Sequence, residues 1–160
     1  LGDCYIVDNQ GQLFVGAGNL TMEKDGRPDD PPEIFTMTMA GTWSFEGASN
    51  WMAGASTMAL WVTLTAEAEG WVLEMNGGFS HSEHQLFFDS LIFDTEACDG
   101  EPSGELGLRD PSGYWYTLEF GQDCTGCADL VYGGDRSLGE ICPGLASVAQ
   151  SFSSRLDPGR

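Results

Sequence analysis

Polar and apolar residues alternate along much of the chain, which is the pattern of β-strands that bury one face and expose the other. The clearest stretch runs from Ile34 to Phe45. Its polar positions include a row of hydroxyl side chains: Thr36, Thr38, Thr42 and Ser44. The stretch from Thr57 to Thr65 alternates in the same way and places Trp61 on its outward side. We predict two strands here, each with an inner apolar face.

Two further strands follow from shorter signals. The stretch from Trp71 to Met75 alternates and leads into Asn76-Gly77-Gly78, whose glycines accept positive φ, so we predict a hairpin turn there. Residues Leu86 to Phe93 are apolar on both sides of the alternation. That pattern is typical of a strand covered on both faces, so we place it in the middle of the sheet system.

Two hairpins and one long loop complete the predicted elements. Asp110-Pro111-Ser112-Gly113 is a proline-started turn inside a hairpin that runs from Gly104 to Phe120. Tyr5 to Val15 reads as a second hairpin around Asn9-Gln10-Gly11. The polar, proline-rich stretch from Lys24 to Pro32 is predicted as a loop.

These elements indicate an all-β chain, either an antiparallel β-sandwich or a partly closed β-barrel, with a short C-terminal helix. Only Leu145 to Leu156 has helical periodicity. We therefore divide the chain into a disulfide-stabilised β domain over residues 1–143 and a C-terminal helix or tail over residues 144–160. A chain of 160 residues, 41% of them hydrophobic, has enough material to bury a core of its own.

The charge of the chain narrows its range of partners. Twenty-five acidic residues against six basic ones give a formal net charge of -19. A field of that sign repels phosphate backbones, so we exclude nucleic acid as a partner. The longest apolar runs fall far short of the roughly 20 residues that span a bilayer, so we predict no transmembrane segment. The partners that we expect are a protein or a glycan at the cell surface, or a second copy of the chain.

Five cysteines point to an oxidising compartment, so we expect a secreted or cell-envelope protein, extracellular or periplasmic. Four of them are candidates for two disulfides: Cys98, Cys124, Cys127 and Cys142. We expect Cys142 to bond Cys124 or Cys127, and Cys98 to bond the other member of that pair. The alternatives are a zinc site of four thiolates and a redox dithiol. Cys4 is left over for an intermolecular bond or a lipid.

The cysteine-bearing tail resembles a segment found elsewhere. A strand that ends in Phe120-Gly121 is followed by Asp123-Cys124-Thr125-Gly126-Cys127, a tyrosine-containing strand, and Leu138-Gly139-Glu140-Ile141-Cys142. Over residues 120–142 this order is similar to the C-terminal segment of uncharacterised secreted and lipoprotein-like bacterial proteins. The resemblance implies the compartment and brings no activity or site residue with it.

Two groups of residues have the chemistry of metal ligands. His81 and His84 offer imidazoles for copper or zinc, but positions i and i+3 of a strand face opposite ways, so the rings converge only in a turn. The acidic loops over residues 25–30 and 94–105 suit Ca²⁺, which prefers carboxylate and carbonyl oxygens. The calcium candidates are Asp25, Asp29, Asp30 and Asp99. A polar hairpin and solvated loops are the alternatives, and no cofactor is firmly indicated.

Tryptophans at the edge of the alternation are the candidates for ligand binding, because planar indoles stack on sugar rings. They are Trp51, Trp61 and Trp115. We find no Gly-x-Ser-x-Gly nucleophile elbow and assign no catalytic residue. We therefore predict a non-catalytic extracellular or cell-envelope binding module for a ligand, glycan or protein. The alternatives are a self-assembling structural subunit of a surface assembly and a secreted hydrolase acting on a glycan or peptide.

Overall fold

The strands follow one another across a single antiparallel sheet. The computed structural model of the chain describes residues 4–7, 13–27, 30–46, 54–66, 70–81 and 83–147. Within them the elements are β1 Cys4–Val7, β2 Leu13–Arg27, β3 Asp30–Glu46, β4 Gly54–Ala66, β5 Trp71–His81, β6 His84–Asp94, α1 Thr95–Cys98, β7 Pro102–Arg109, β8 Trp115–Phe120, β9 Ala128–Tyr132 and β10 Arg136–Ile141. Every strand pairs with its neighbours in the sequence, and the described part of the sheet is not closed into a barrel.

The predicted all-β antiparallel class is confirmed. β3 and β4 contain the two stretches of clearest alternation and extend beyond them at both ends. The predicted hairpin around the Asp110 turn is formed by β7 and β8. In that turn the N–H of Gly113 donates to the Asp110 carbonyl at 2.9 Å, and the N–H of Tyr114 donates to the Asp110 side chain at 2.9 Å. β1 and β2 also pair as predicted, although the turn between them lies outside the described residues.

The apolar positions of successive strands meet on one face of the sheet, which we call the inner face; the opposite one is the outer face. The buried cluster on the inner face consists of Leu64, Leu73, Leu91, Phe93, Phe120 and Ala128. Burying a Leu or Phe side chain contributes about 1.5–3 kcal/mol. Leu145, which follows β10, packs against the same cluster. Most of the helix predicted over residues 145–156 lies outside the described residues.

The loop predicted over residues 24–32 is wrong, because β2 and β3 both extend into it and remain paired. Lys24 contacts two residues of the opposite strand here. The ammonium group of Lys24 lies 3.2 Å from Oε2 of Glu33 and 5.0 Å from the ring centroid of Phe35, and both partners are on β3. Strand pairing therefore continues where the apolar alternation stops.

The hairpin turn predicted at Asn76-Gly77-Gly78 is also wrong, because β5 runs through these residues. The chain turns between His81 and His84, which are register partners. Gly77 does have a positive φ of 99°. A side chain there would overlap the backbone carbonyl of Ala59 on β4. The glycine therefore permits a close approach of two strands at a β-bulge.

Irregularities in β5, β6 and β7 lie side by side near the middle of the sheet. Ser90 of β6 has a φ of 47°, and its N–H donates to Oδ1 of Asn76 on β5 at 2.8 Å. Gly104 of β7 has a φ of 94°, and a side chain there would overlap the backbone carbonyl of Ser90. We call Asn76, Ser90 and Gly104 the seam. At the seam we divide the sheet between β5 and β6 into a first half, β1–β5, and a second half, β6–β10.

The bulge in β6 explains why the strand from Leu86 to Phe93 is apolar on both sides. Its extra residue reverses the alternation, so Phe88 and Leu91 both contact the inner-face core although they are three positions apart. Phe87 faces outward and packs edge-on against Trp115, with ring centroids 5.3 Å apart. The outer face of this strand is covered at Phe87 but not at Asp89, which is exposed, so the predicted cover on both faces is found only in part.

Two disulfides hold the C-terminal part of the sheet. Cys98 bonds Cys124, and Cys127 bonds Cys142. This is one of the two pairings predicted, and it leaves none of these sulfurs as a thiolate for zinc or for redox exchange. Disulfides persist in extracellular or otherwise oxidising compartments, and the two bridges are consistent with such a location. Among the described residues no helix has the length and apolar character needed to cross a membrane.

Candidate functional site

The outer face of β2 to β5 is broad, and most of its side chains are uncharged. We call it the threonine face. Its members are Asn19, Thr21 and Glu23 on β2, Thr36, Thr38, Ala40 and Thr42 on β3, Thr57, Ala59, Trp61 and Thr63 on β4, and Glu74, Asn76, Gly78 and Ser80 on β5. All are at least partly exposed. They face outward because the alternate positions of the same strands fill the core.

Trp61 lies in the middle of the threonine face, and 59% of its surface is exposed. Its register partners are Thr38 on one side and Asn76 on the other. The side chain of Asn76 is fixed, because it accepts from Ser90 N–H and donates to Oε1 of Glu74 at 2.9 Å. The indole is therefore flanked by one hydroxyl group and one immobilised amide.

A shelf of small residues runs beside the indole. Ala40, Ala59 and Gly78 are successive register partners in the next row across the strands. Ala40 and Ala59 are exposed. Adjacent strands lie about 4.8 Å apart, so the three positions span about 10 Å across the sheet. With side chains this short, the shelf lets a flat ligand approach the side of the indole.

The outer face of β6 to β10 is different, because it carries a row of carboxylates. Successive register partners on these five strands are Asp89, Glu105, Glu119, Asp129 and Glu140. We call them the carboxylate row. No described Lys or Arg forms an ion pair with any of them. Asp129 does accept a hydrogen bond from the hydroxyl group of Ser137 at 2.7 Å.

The other two predicted tryptophans are not part of the threonine face as described. Trp115 is half-buried on the outer face of β8, where its ring packs against Phe87. Phe87 in turn lies over Gly107, where a side chain would overlap the Phe87 ring. Trp115 thus helps to cover the sheet and offers less free surface than Trp61. Trp51 lies outside the described residues.

The two histidines are brought together. His81 ends β5 and His84 begins β6, and the two are directly opposite in the antiparallel register. The segment is therefore the turn that convergence of the two rings requires. His81 is half-buried and His84 is exposed.

The calcium candidates are dispersed along the chain. Asp25 is an exposed residue of β2, paired with Ile34, and Asp30 begins β3. Asp99 caps the C-terminus of α1 with a φ of 52°. Asp29 lies outside the described residues. Residues 25–27 belong to β2 and residue 30 to β3, and the calcium site stays a prediction.

Among the described residues, one group of three potential metal ligands has its ligand atoms within 4.8 Å of one another: Cys127, Glu140 and Cys142. Its two sulfurs are bonded to each other. Because a disulfide sulfur is not a thiolate, the group lacks the donors that zinc requires. It is a structural feature of the β9–β10 connection.

Two acidic side chains of β5 and β6 have hydrogen-bond partners within the fold. The Asp94 side chain caps α1, accepting from the N–H groups of Glu96 at 2.9 Å and Ala97 at 2.8 Å. Glu74 accepts from the side chain of Asn76.

Sequence reasoning missed a cluster of tyrosines on the inner face, at the turn end of β8. The Tyr132 ring lies 5.5 Å from that of Tyr114 and 5.3 Å from that of Tyr116, and 54% of Tyr114 is exposed. Desolvation raises the pKa of the Tyr132 phenol, and the neighbouring Tyr114 and Tyr116 raise it further. Tyr114 and Tyr116 share a face by alternation, but the β8–β9 register that adds Tyr132 has no local signal in the sequence.

Comparison of the chain with protein-family models, with curated proteins and with solved structures finds no match. The candidate site therefore rests on geometry and chemistry alone.

Proposed function

We propose that this protein is a non-catalytic extracellular or cell-envelope binding module that holds a glycan against its threonine face. The observation that carries the proposal is Trp61, whose indole is 59% exposed in the middle of a broad polar surface. Leaving such a side chain in water forgoes the stabilisation that its burial would give. A binding role supplies a reason for the exposure.

The surroundings of Trp61 suit a sugar ring. A pyranose has an apolar face of C–H groups that can stack on an indole, and its edge carries hydroxyl groups that need hydrogen-bond partners. Thr38 and Asn76 lie on either side of the indole to serve as such partners. The small residues Ala40 and Ala59 leave space for the next sugar of a chain.

The charge of the protein indicates which glycans to expect. A net charge of -19, with the carboxylate row on the same outer face, repels sulfated and uronate-containing chains. We therefore propose a glycan without anionic groups. A site of this kind works outside the cytosol, and the two disulfides are compatible with that location.

The alternative function, a self-assembling structural subunit, has less support from the edge of the sheet. β10 is the last strand of the described sheet and offers an edge for pairing. However, β10 has a register shift between Ser137 and Gly139, and it carries the charges of Arg136 and Glu140. Bulges and charged residues are the devices by which edge strands avoid pairing with a second chain.

The test is depletion of the protein from solution by insoluble polysaccharides, with cellulose, chitin and a β-1,3-glucan as neutral probes and immobilised heparin as the anionic one. We expect at least one neutral polysaccharide to bind and heparin not to bind. Trp61→Ala should weaken that binding about thirtyfold, which corresponds to the loss of about 2 kcal/mol typical of a central aromatic anchor.

Met22→Ala is the matched control. Met22 is 69% exposed but lies on the other face of β2, so its loss should leave binding unchanged. Tyr114→Ala is a second control, because it removes an exposed ring from the tyrosine cluster. Equal weakening by Trp61→Ala and Met22→Ala would indicate general apolar adhesion and contradict the proposal. Failure of all neutral probes to bind would contradict it as well.

A further inference from the structure

The hairpin between β5 and β6 places two histidines directly opposite each other. His81 and His84 are register partners, with only residues 82 and 83 between them. Directly opposite residues of an antiparallel pair point to the same face, with Cβ atoms about 4.5–5.5 Å apart. Two side chains at that separation can place one ring nitrogen each on a single ion.

The sheet fixes the direction of at least one of these side chains. β5 is an internal strand, and His81 pairs with His84 on one side and with Ser56 of β4 on the other. Its backbone is therefore held from both sides. The turn is the shortest that joins two strands, so the separation of the two Cβ atoms is restricted before any ion arrives. A preorganised pair loses less conformational entropy on binding than two ligands on a loose loop.

Exposure leaves the position open to ions and water. His84 is exposed and His81 is half-buried, so neither residue is closed off from solvent. Two imidazoles supply two ligands, and water molecules can complete the coordination. Imidazole suits copper and zinc, whereas calcium and magnesium prefer oxygen ligands.

From this geometry we propose that His81 and His84 form a two-imidazole site for a divalent transition-metal ion, with Cu²⁺ bound more tightly than Zn²⁺. This order follows the general preference of nitrogen ligands among divalent metals. The site is separate from the threonine face, because His81 and His84 lie on the inner-face side of the register. It therefore does not depend on the glycan proposal.

The experiment is calorimetric titration of the full chain with Cu²⁺ and with Zn²⁺ in an excess of Ca²⁺. The excess Ca²⁺ occupies the many carboxylates, which would otherwise collect divalent ions unspecifically. We expect one saturable Cu²⁺ site per chain that Ca²⁺ does not displace. Electron paramagnetic resonance of the bound Cu²⁺ should report two nitrogen ligands.

The variants are His84→Gln and His81→Gln, each of which removes one imidazole and keeps every carboxylate. Each should weaken Cu²⁺ binding at least tenfold, and the resonance spectrum should lose one nitrogen. Glu119→Gln is the matched control, because it removes an exposed carboxylate of the carboxylate row and should leave the affinity unchanged.

Three results would overturn the proposal. One is the absence of a stoichiometric site in the wild type. Another is an unchanged affinity in either folded histidine variant, because a pair needs both members. The third is equal weakening by Glu119→Gln. His84 is exposed, so His84→Gln should fold even if His81→Gln does not, and in that case it decides the question alone.

Discussion

The two halves of the outer face are built differently although they belong to one sheet. β2 to β5 are 15, 17, 13 and 11 residues long, and their outward side chains are mostly hydroxyls and small residues. β7 to β10 have 8, 6, 5 and 6 residues and share with β6 an unbroken row of carboxylates. No cysteine occurs in residues 13–81, whereas the second half contains both disulfides.

The difference suggests how each half is stabilised. Long strands gain many ladder hydrogen bonds and cross-strand contacts, so the first half can present a neutral surface to a ligand without covalent support. Short strands gain fewer, and like charges directly opposite each other subtract from that gain. We infer that the disulfides compensate the second half for short ladders and for the carboxylate row.

The largest effect is expected at the seam, where β7 approaches β6 closely. Gly104→Ala combines a positive φ of 94° with an overlap between the new methyl group and the Ser90 carbonyl. The backbone strain costs about 1–2 kcal/mol and the overlap about 1–3 kcal/mol more, so we expect a loss of about 3–4 kcal/mol in the free energy of unfolding. Urea unfolding measures it.

Gly134→Ala separates the two contributions. Gly134 has almost the same φ, 93°, but nothing lies within 4 Å of an added methyl group. It should cost only the strain of about 1–2 kcal/mol. Equal losses in the two variants would mean that β6 and β7 can separate at the seam without penalty. The close approach of β6 and β7 would then contribute nothing to the stability of the half formed by β6–β10.

Loss of a disulfide should affect one half more than the other. Cys127→Ser with Cys142→Ser opens a bridge with a sequence separation of 15, for which the chain-entropy estimate is about 3 kcal/mol. Hydrogen exchange measured by mass spectrometry should lose protection in β9 and β10 first. If β3 and β4 lost protection equally, the sheet would unfold as one unit. The inference that the disulfides stabilise the second half in particular would then be wrong.

Alternation in the sequence predicted the strands well, because each side chain's environment follows from its own position along a strand. The strands containing Thr38 and Trp61, and the outward direction of Trp61, were accessible in this way. The turn at Asn76-Gly77-Gly78 was not, because glycine serves a tight turn and a close strand approach equally well. Only the position of Ala59 on the neighbouring strand distinguishes the two uses.

Predicting the candidate sites requires the register in which the strands pair, and a single sequence does not contain that information. Asp89, Glu105, Glu119, Asp129 and Glu140 are scattered along 52 positions of the chain and become one row only through four successive strand pairings. The histidine pair is the opposite case. Its members are close in sequence, but they can converge only if the segment between them is a turn. The local sequence pattern does not distinguish a turn from a strand at this position.

The smallest expected effect concerns the carboxylate row itself. Glu119 has Glu105 on one side and Asp129 on the other, so Glu119→Gln removes two like-charge contacts. Such contacts cost a few tenths of a kcal/mol each, so the variant should be more stable by about 0.5 kcal/mol. The gain should shrink at high salt, because exposed charges are screened.

Glu23→Gln is the control. The described partner of Glu23 is the uncharged Thr36, so the stability of this variant should equal that of the wild type. Urea unfolding at low and high salt distinguishes the outcomes. A loss of stability in Glu119→Gln would mean that the carboxylates are balanced by a cation bound in solution, and the second half would then owe its stability to that ion as well as to its disulfides.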